Sequence, residues 1–208
     1  DVIALRHHAP TIPRQGPLRG LLNFPLADAI PAAFCGLSFP ATVAPDMTAL
    51  AAVVRRQLAD STPYRNLDLL ANFADNHDIP RIGLLCGGDQ PQRVAHALTF
   101  VMLARGIPIV YYGTEQGFDQ SDDRTSLWQS RFRRDHPRYA LLRALNALRR
   151  AYPGLATAPG AIHFADRTSL VLTRGESLFA FLNNDKQSAS ASSRPYCLPP
   201  HVRLPPPP

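Results

Sequence analysis

This 208-residue sequence contains no long hydrophobic run, a single lysine and only two glutamates. No stretch approaches the roughly 18 consecutive apolar residues that a membrane-spanning helix needs, so we expect no integral membrane protein. Lys186 is the lysine, and the other basic residues are arginines scattered along the chain. The formal charge of +6 is accompanied by no nucleic-acid-binding motif. Net charge alone indicates non-specific association, so we expect no nucleic-acid partner.

Cysteine is also scarce. Cys35, Cys86 and Cys197 are widely separated, and none belongs to a CxxC pair. An odd number of cysteines without paired spacing supports neither a zinc site nor a disulfide framework. The first residues, DVIALRHHAP, lack the long apolar core of a signal peptide and begin without Met. They therefore make no prediction of the compartment.

Apolar segments alternate with amphipathic ones over roughly the first 150 residues. The amphipathic segments have helical periodicity, and Asp46 is placed to cap the first of them. We predict strands at 20–24, 67–73 and 108–112, a short helix at 27–34, and longer helices at 47–60 and 90–105. This order indicates an α/β fold of parallel βα units with right-handed crossovers.

The pattern changes after a further predicted helix at 138–150. Three short segments within 161–183 are separated by DRT and RGES, which predicts antiparallel strands joined by tight turns. We therefore divide the chain into an α/β region, residues 1–154, and a small β module, residues 155–185. The Ser- and Pro-rich tail, residues 186–208, is predicted to be disordered or polyproline-like.

The segment LLANFADNHDIPR, residues 69–81, is an apolar run that ends abruptly in Asn76, His77 and Asp78. Catalytic groups of parallel α/β folds lie at the carboxyl ends of buried strands, so this pattern indicates the rim of an active site. The alternative is a strand that runs into an ordinary Asn/Asp turn. Strand alternation turns Asp75 away from its neighbours, and we predict a structural role for it.

About thirty residues after NHD, the chain continues with GIPIVYYGTE. With this spacing the sequence resembles the α-amylase family, glycoside hydrolase family 13, over roughly residues 18–184. The family's sixth barrel strand and its helix resemble the segment LRGLLNFPLADAIPAAF, and the end of the seventh strand resembles NFADNHDIPR. The eighth strand resembles GIPIVYYGTEQGF, and the approach to the last barrel helix resembles DRTSLW. The resemblance implies a partial TIM-type (β/α)8 barrel, about the last three βα units, followed by a small antiparallel β module.

The same resemblance implies roles for the polar residues of the NHD segment. Asp78 matches the family's third catalytic carboxylate, which stabilises the transition state by gripping hydroxyls of the reacting sugar. His77 matches the histidine that hydrogen-bonds that sugar, and Asn76 is placed with it in substrate binding. Arg124 matches an arginine that holds a neighbouring glucose in fungal-type members.

The remaining acidic residues are interpreted as non-catalytic. Asp119, Asp122 and Asp123 do not fit the family's spacing to the arginine and read as solvated loop charges. Glu115 follows the eighth-strand motif, where the family commonly has a glutamate that is not the proton donor. Glu176 lies in the predicted RGES hairpin. No GxRxD segment, which carries the family's nucleophile, occurs in the sequence.

The resemblance thus implies a retaining glycoside hydrolase for α-1,4-glucans such as starch, glycogen and maltooligosaccharides. Because only one of three catalytic carboxylates is present, we expect a carboxyl-terminal portion that is inactive alone and whose open strand edges favour aggregation. Alternatives are a non-catalytic glucan-binding or interaction module, and a transglycosidase or debranching enzyme. No cofactor or metal is implied for these residues. Full-length members can bind calcium elsewhere, and members are commonly secreted.

Overall fold

The computed structural model describes residues 20–38, 41–42, 45–62, 64, 66–120, 124–176 and 178–184. The predicted disordered tail, residues 186–208, lies outside the described residues. Within these ranges no helix is long and apolar enough to cross a membrane.

A parallel sheet of three short strands is the centre of the α/β region. Its order is β1–β4–β5, with β1 at Leu21–Leu22, β4 at Leu70–Asn72 and β5 at Ile107–Pro108. β4 pairs in parallel with both neighbours, as predicted. The predicted strand at 67–73 is shortened because Leu67–Leu69 form a 3-10 turn capped by the Asn66 side chain.

The helices confirm the predicted periodicity. α1 spans Phe24–Cys35, α2 Met47–Leu58, α4 Pro91–Leu103 and α5 Pro137–Ala151. The Asp46 carboxylate caps α2 by accepting a hydrogen bond from the Thr48 amide at 2.8 Å. Two short features were not predicted: the β2–β3 hairpin, Leu37–Ser38 with Ala41–Thr42, and the one-turn helix α3, Ile82–Leu85.

Three buried amide side chains connect the end of β1, where Asn23 begins α1, with α2 and β4. Asn23 donates to the Asn72 side-chain oxygen at 2.8 Å, and Gln57 donates to the Asn23 oxygen at the same distance. Asn72 in turn donates to the Arg105 carbonyl at 2.9 Å. Since buried polar groups are costly unless they are hydrogen-bonded, this network fixes how the two strands and the helix are arranged.

The three predicted antiparallel strands are also confirmed. β6, Gly160–Ala165, β7, Ser169–Arg174, and β8, Leu178–Asn183, pair in the order β6–β7–β8. Apolar residues of this sheet, including Leu170, Leu172 and Leu182, belong to the same buried cluster as residues of α1, α2 and α4. The module therefore packs on the helices and shares their core.

Two arginines anchor the carboxyl end of α4. Arg149 of α5 donates to the Met102 carbonyl at 2.7 Å, and Arg174 of β7 donates to the Leu103 carbonyl at 2.7 Å and to the Leu155 carbonyl. Arg174 is only 1% exposed, and burial lowers the pKa of its guanidinium to about 10. Cations are favourable here because the last carbonyls of a helix lack intrahelical donors.

Both outer strands of the parallel sheet expose apolar side chains. Leu22 of β1 is 52% exposed, Ile107 of β5 is 47% exposed and the adjacent Ile109 is 40% exposed. Within the described ranges, no strand pairs with the outer edge of β1 or of β5. Such edges are templates for pairing with another strand.

A disulfide joins Cys35, at the end of α1, to Cys86, directly after α3. The prediction that the cysteine spacing supports no disulfide framework was wrong for this pair. The two residues are 51 positions apart, and only the packing of α1 against α3 brings their Cα atoms to 4.5 Å. Cys197 lies outside the described residues.

Candidate active-site rim

Asn76 builds the turn that follows β4. Its side-chain oxygen accepts hydrogen bonds from the amides of Asp78 at 2.7 Å and Ile79 at 2.9 Å. The turn considered as an alternative for this segment is therefore present, because an Asn side chain can bond to the backbone two residues on. The same turn carries His77 and Asp78 at the carboxyl end of β4.

His77 and Asp78 are accessible to a ligand. Their side chains are 61% and 57% exposed, and the His77 Nε2 atom lies 3.5 Å from the Asp78 Oδ2 atom. An exposed pair of this kind contributes little to folding. The structure thus brings together two of the four predicted site residues as solvent-facing groups, on a backbone held by the third, Asn76.

Asp75 points the other way and joins two loops. It is 2% exposed, and its Oδ2 atom accepts hydrogen bonds from the Ile82 amide at 2.9 Å and from the Thr114 hydroxyl at 3.3 Å. Thr114 lies in the loop after β5, so Asp75 connects that loop to the one after β4. Burial raises the pKa of the Asp75 carboxyl, although the Ile82 amide and the Arg81 guanidinium act in the opposite direction.

We expect the stability of the wild-type protein to fall relative to an Asp75→Asn variant as the pH rises. A pKa raised in the folded state means that the folded protein binds this proton more tightly than the unfolded chain. The resulting stabilisation is complete below the unfolded-state pKa and is lost as the pH rises through the folded-state pKa. Urea unfolding of both proteins between about pH 4 and about pH 7 measures this difference.

Asp46→Asn is the matched control for that series. Hydrogen bonding from Thr48 lowers the pKa of Asp46, so the stability of the wild-type protein relative to this variant is present above the unfolded-state pKa and is lost as the pH falls below it. The control series is therefore extended down to about pH 2, where the wild-type protein should gain stability relative to Asp46→Asn as the pH rises toward about pH 4. Slopes of the same sign for the two variants would contradict the opposite environments of the two carboxyls.

Arg81 is a buried contact between the segment after β4 and the loop after β5. It is 1% exposed, its guanidinium carbon lies 4.1 Å from the centroid of the Tyr111 ring, and it donates to the Tyr112 carbonyl. A cation over an aromatic face is attracted by the ring quadrupole. Arg81 was not selected from the sequence, and its only signal there is its position three residues after Asp78.

Asp119 forms a bidentate ion pair with Arg138 at the start of α5. Both nitrogen–oxygen distances are 2.6 Å, and the two side chains are 22% and 10% exposed respectively. The interpretation of Asp119 as a solvated loop charge was therefore wrong. Gly83 of α3 permits this arrangement, since a methyl group there would collide with the Asp119 carboxylate. Asp122 and Asp123 lie outside the described residues.

The other predicted residues are placed as follows. Arg124 is exposed at the start of the segment that leads to α5, and its contact with a sugar stays a prediction. Glu115 lies in the 3-10 turn Thr114–Gln116, and Glu176 lies in the exposed turn between β7 and β8. Among the residues that the structure describes, no three His, Cys, Asp or Glu side chains cluster as metal ligands.

Comparison with known proteins decides the family. A family model described as "Alpha amylase, catalytic domain" matches residues 26–150. The chain belongs to the α-amylase family. Asp75, Arg81 and Asp78 of this α-amylase family chain all lie inside the matched range, as do Asp119 and Arg138.

Individual relatives agree with this assignment. An α-amylase from Saccharomycopsis fibuligera is 30% identical over 190 residues, which cover 88% of this chain and 36% of the relative. The structure of an α-amylase from Malbranchea cinnamomea matches with a TM-score of 0.73 and 31% identity, covering 86% of this chain and 37% of that one. A cyclomaltodextrin glucanotransferase from Geobacillus stearothermophilus is 39% identical over 85 residues, 40% of this chain and 12% of that protein.

The α-amylase family chain thus spans little more than a third of the Saccharomycopsis relative and a smaller share of the glucanotransferase. Its structural neighbours are barrel amylases that match over part of their length. The parallel sheet and the antiparallel module described above agree with that match.

Proposed function

We propose that this chain forms the substrate-gripping edge of a retaining, α-amylase-type hydrolase of α-1,4-glucans. The observation that carries the proposal is the exposed His77–Asp78 pair, 3.5 Å apart, on a turn held by Asn76 at the carboxyl end of β4. Asp78 is assigned to stabilisation of the transition state and His77 to a hydrogen bond with the same sugar. Arg124 is assigned to a neighbouring glucose, and Asn76 to holding the turn beside the sugar.

The chemistry explains why an exposed carboxylate is suited to this role. Glycoside cleavage passes through an oxocarbenium-like state, and hydrogen bonds to sugar hydroxyls strengthen as that state forms. A carboxylate accepts such bonds with about twice the strength of a neutral acceptor. The Asp78 carboxylate can accept them because it faces solvent and its neighbour at 3.5 Å is the equally exposed His77, while Asn76 engages the Asp78 backbone amide.

We further propose that the chain supplies the last three βα units of a (β/α)8 barrel together with the β module. The exposed outer edges of β1 and β5 support this, because a closed barrel would pair both of them. An open cleft of about 390 Å³ beside β5 also supports it. The cleft lies between Val110 and the α5 residues Tyr139 and Leu142, where side chains of a neighbouring barrel unit would pack.

The proposal includes the inactivity of these 208 residues alone. A retaining glycosidase uses two carboxyl groups about 5–5.5 Å apart, one as nucleophile and one as acid. The family's general acid is a glutamate at the end of the fifth strand, whereas Glu115 follows the eighth-strand motif and Glu176 lies in the turn between β7 and β8. No GxRxD segment, which carries the nucleophile, occurs. Calcium, if the whole enzyme requires it, is assigned to parts other than these residues.

Binding of a short sugar tests the proposed contacts of Asp78 and His77 with the substrate. We expect Asp78→Asn and His77→Ala each to weaken the binding of maltotriose to the 208-residue chain by about tenfold, the contribution of a hydrogen bond to a charged group. Isothermal titration or NMR measures the affinity. Asp89→Asn, an exposed carboxylate in the turn after α3, is the matched control and should leave the affinity unchanged. Equal binding by all four proteins would refute the assignment of Asp78.

A reducing-end assay on soluble starch tests the inactivity. We expect no release by the wild-type chain above that of Asp78→Asn. Asp78-dependent release would overturn this part of the proposal.

The similarity to a cyclomaltodextrin glucanotransferase favours a transglycosidase as the second candidate. Cyclic or elongated glucans among the products would then identify it, whereas maltotriose binding without any turnover fits the inactive portion and a non-catalytic module equally.

A further inference from the structure

We infer that Trp128 and Phe132 form an outer sugar-binding platform, on which glucose units of an α-1,4-glucan stack beyond the subsite of Asp78. The two residues lie in the segment 124–136 between β5 and α5, which we call the aromatic loop. The inference rests on the proposed function, because it extends the same glucan along the same edge of the sheet.

Both aromatic side chains face solvent. Trp128 is 68% exposed and Phe132 is 60% exposed, the two largest values among the exposed large hydrophobic residues. Tryptophan is highly buried on average, so an exposed ring of this size is unusual. The residues next to these rings are polar or charged and also exposed, namely Gln129, Arg131, Arg133, Arg134 and Asp135.

The backbone of the aromatic loop is held in an unusual conformation. Arg131 and Phe132 have φ angles of 57° and 52°, and they are the two non-glycine residues with positive φ among those described. This left-handed conformation is disfavoured for side chains with a Cβ atom. Hydrogen bonds maintain it: the Phe132 amide donates to the Ser130 hydroxyl at 3.0 Å, and that hydroxyl donates to the Leu127 carbonyl at 2.7 Å.

Hydrogen bonds connect the aromatic loop to the loop after β5, and that loop to Asp75. Gln116 donates to the Arg133 carbonyl at 3.1 Å, and His136 hydrogen-bonds the backbone of Glu115. The adjacent Thr114 donates to Asp75, directly before the NHD motif. Because β4 and β5 are parallel neighbours, the segments that leave their carboxyl ends start from the same edge of the sheet. The aromatic loop is therefore tied, through the loop after β5, to the residue that precedes the NHD turn.

The chemistry of the loop fits a glucan. A glucose ring has apolar C–H faces and a rim of hydroxyls, so it matches an aromatic face surrounded by hydrogen-bonding groups. The exposed guanidinium and amide groups beside Trp128 and Phe132 supply donors for those hydroxyls. A protein-docking surface would instead present a contiguous apolar patch, whereas these rings are separated by polar residues. A platform fixed before binding also loses little conformational entropy when the sugar arrives.

Trp128 makes the test direct, because it is the only tryptophan of the chain. We expect maltoheptaose to produce a saturable change in the intrinsic tryptophan fluorescence of the 208-residue protein. Phe132→Ala should weaken that titration by roughly two- to tenfold, the range that an aromatic contact contributes. Trp128→Ala should lose mobility retardation in glycogen-containing native gels to at least the same degree.

Tyr152→Ala is the matched control. Tyr152 is 54% exposed and directly follows α5, at the opposite end of that helix from the aromatic loop. Its replacement should leave both measurements unchanged, and circular dichroism checks that all variants fold. An unchanged fluorescence on addition of maltoheptaose would overturn the inference. So would a fluorescence change that follows protein concentration with self-association, since it would identify a second copy of the chain as the occupant.

The outcomes of these experiments distinguish failure of the platform from failure of the role proposed for Asp78. If Trp128 and Phe132 variants weaken maltoheptaose binding while Asp78→Asn does not, the platform stands and the role of Asp78 fails. If Asp78→Asn weakens maltotriose binding while the tryptophan signal never responds to maltoheptaose, the proposed function stands and the platform is refuted.

Discussion

Replacing Arg138 by methionine is expected to lower the free energy of unfolding by about 3 kcal/mol, the lower end of the range for breaking a buried ion pair. The substitution leaves the Asp119 carboxylate, which is 22% exposed, without the guanidinium that binds both of its oxygens. An unpaired, largely buried charge is costly because it has lost most of its hydration. Urea unfolding measures the loss, and the melting temperature should fall by about 6–12 °C.

Two further variants show whether the loss comes from the pair. Arg133→Met removes an equivalent guanidinium from the exposed pair with Asp135, where the side chains are 58% and 75% exposed, and should leave stability unchanged. The double variant Asp119→Leu with Arg138→Met should recover part of the loss, because neither charge remains. A double variant as unstable as Arg138→Met with Asp119 retained would indicate lost packing of the arginine stem instead.

Loss of the Cys35–Cys86 disulfide is expected to have a comparable or larger effect. The bond closes a segment of 51 residues. The chain-entropy relation then assigns it about 4 kcal/mol of stability through restriction of the unfolded state. We expect Cys35→Ser with Cys86→Ser to lower the free energy of unfolding by about this amount in urea titrations.

Thiol counting and reduction are the checks on that prediction. Of the three cysteines, Cys197 is the one left for thiol titration of the unreduced, unfolded chain, and reduction should raise the count from one to three. Dithiothreitol should destabilise the wild-type protein but not the double serine variant. Three titratable thiols before reduction would show that the disulfide does not form.

Periodicity in the sequence predicted the elements that pack one continuous face. α2, α4, α5 and the three strands of the β module are all confirmed close to their predicted bounds. The strands of the parallel sheet are shorter than predicted because apolar runs do not mark where pairing stops. The β2–β3 hairpin and α3 were missed because each is too short to show a period.

The candidate site was predicted in part for a similar reason. His77 and Asp78 follow an apolar run and face solvent, so their exposure could be inferred from a local pattern. Asp119 and Arg138 are 19 residues apart, and Cys35 and Cys86 are 51 apart. These partners meet only through tertiary packing, so the local spacing of residues in the sequence does not predict their contacts. Arg81 belongs to the same class, because its aromatic partners follow the next strand.

The carboxyl end of α4 is contacted by both α5 and β7, and these contacts determine where the chain can be truncated. A truncation between α5 and β6 would look reasonable from the change in sequence pattern near residue 155. It would remove Arg174, and with it the donor to the carbonyls of Leu103 and Leu155. The β module therefore cannot be removed without loss of contacts to the helices. Any exchange of segments between relatives should transfer β6 to β8 together with α4 and α5.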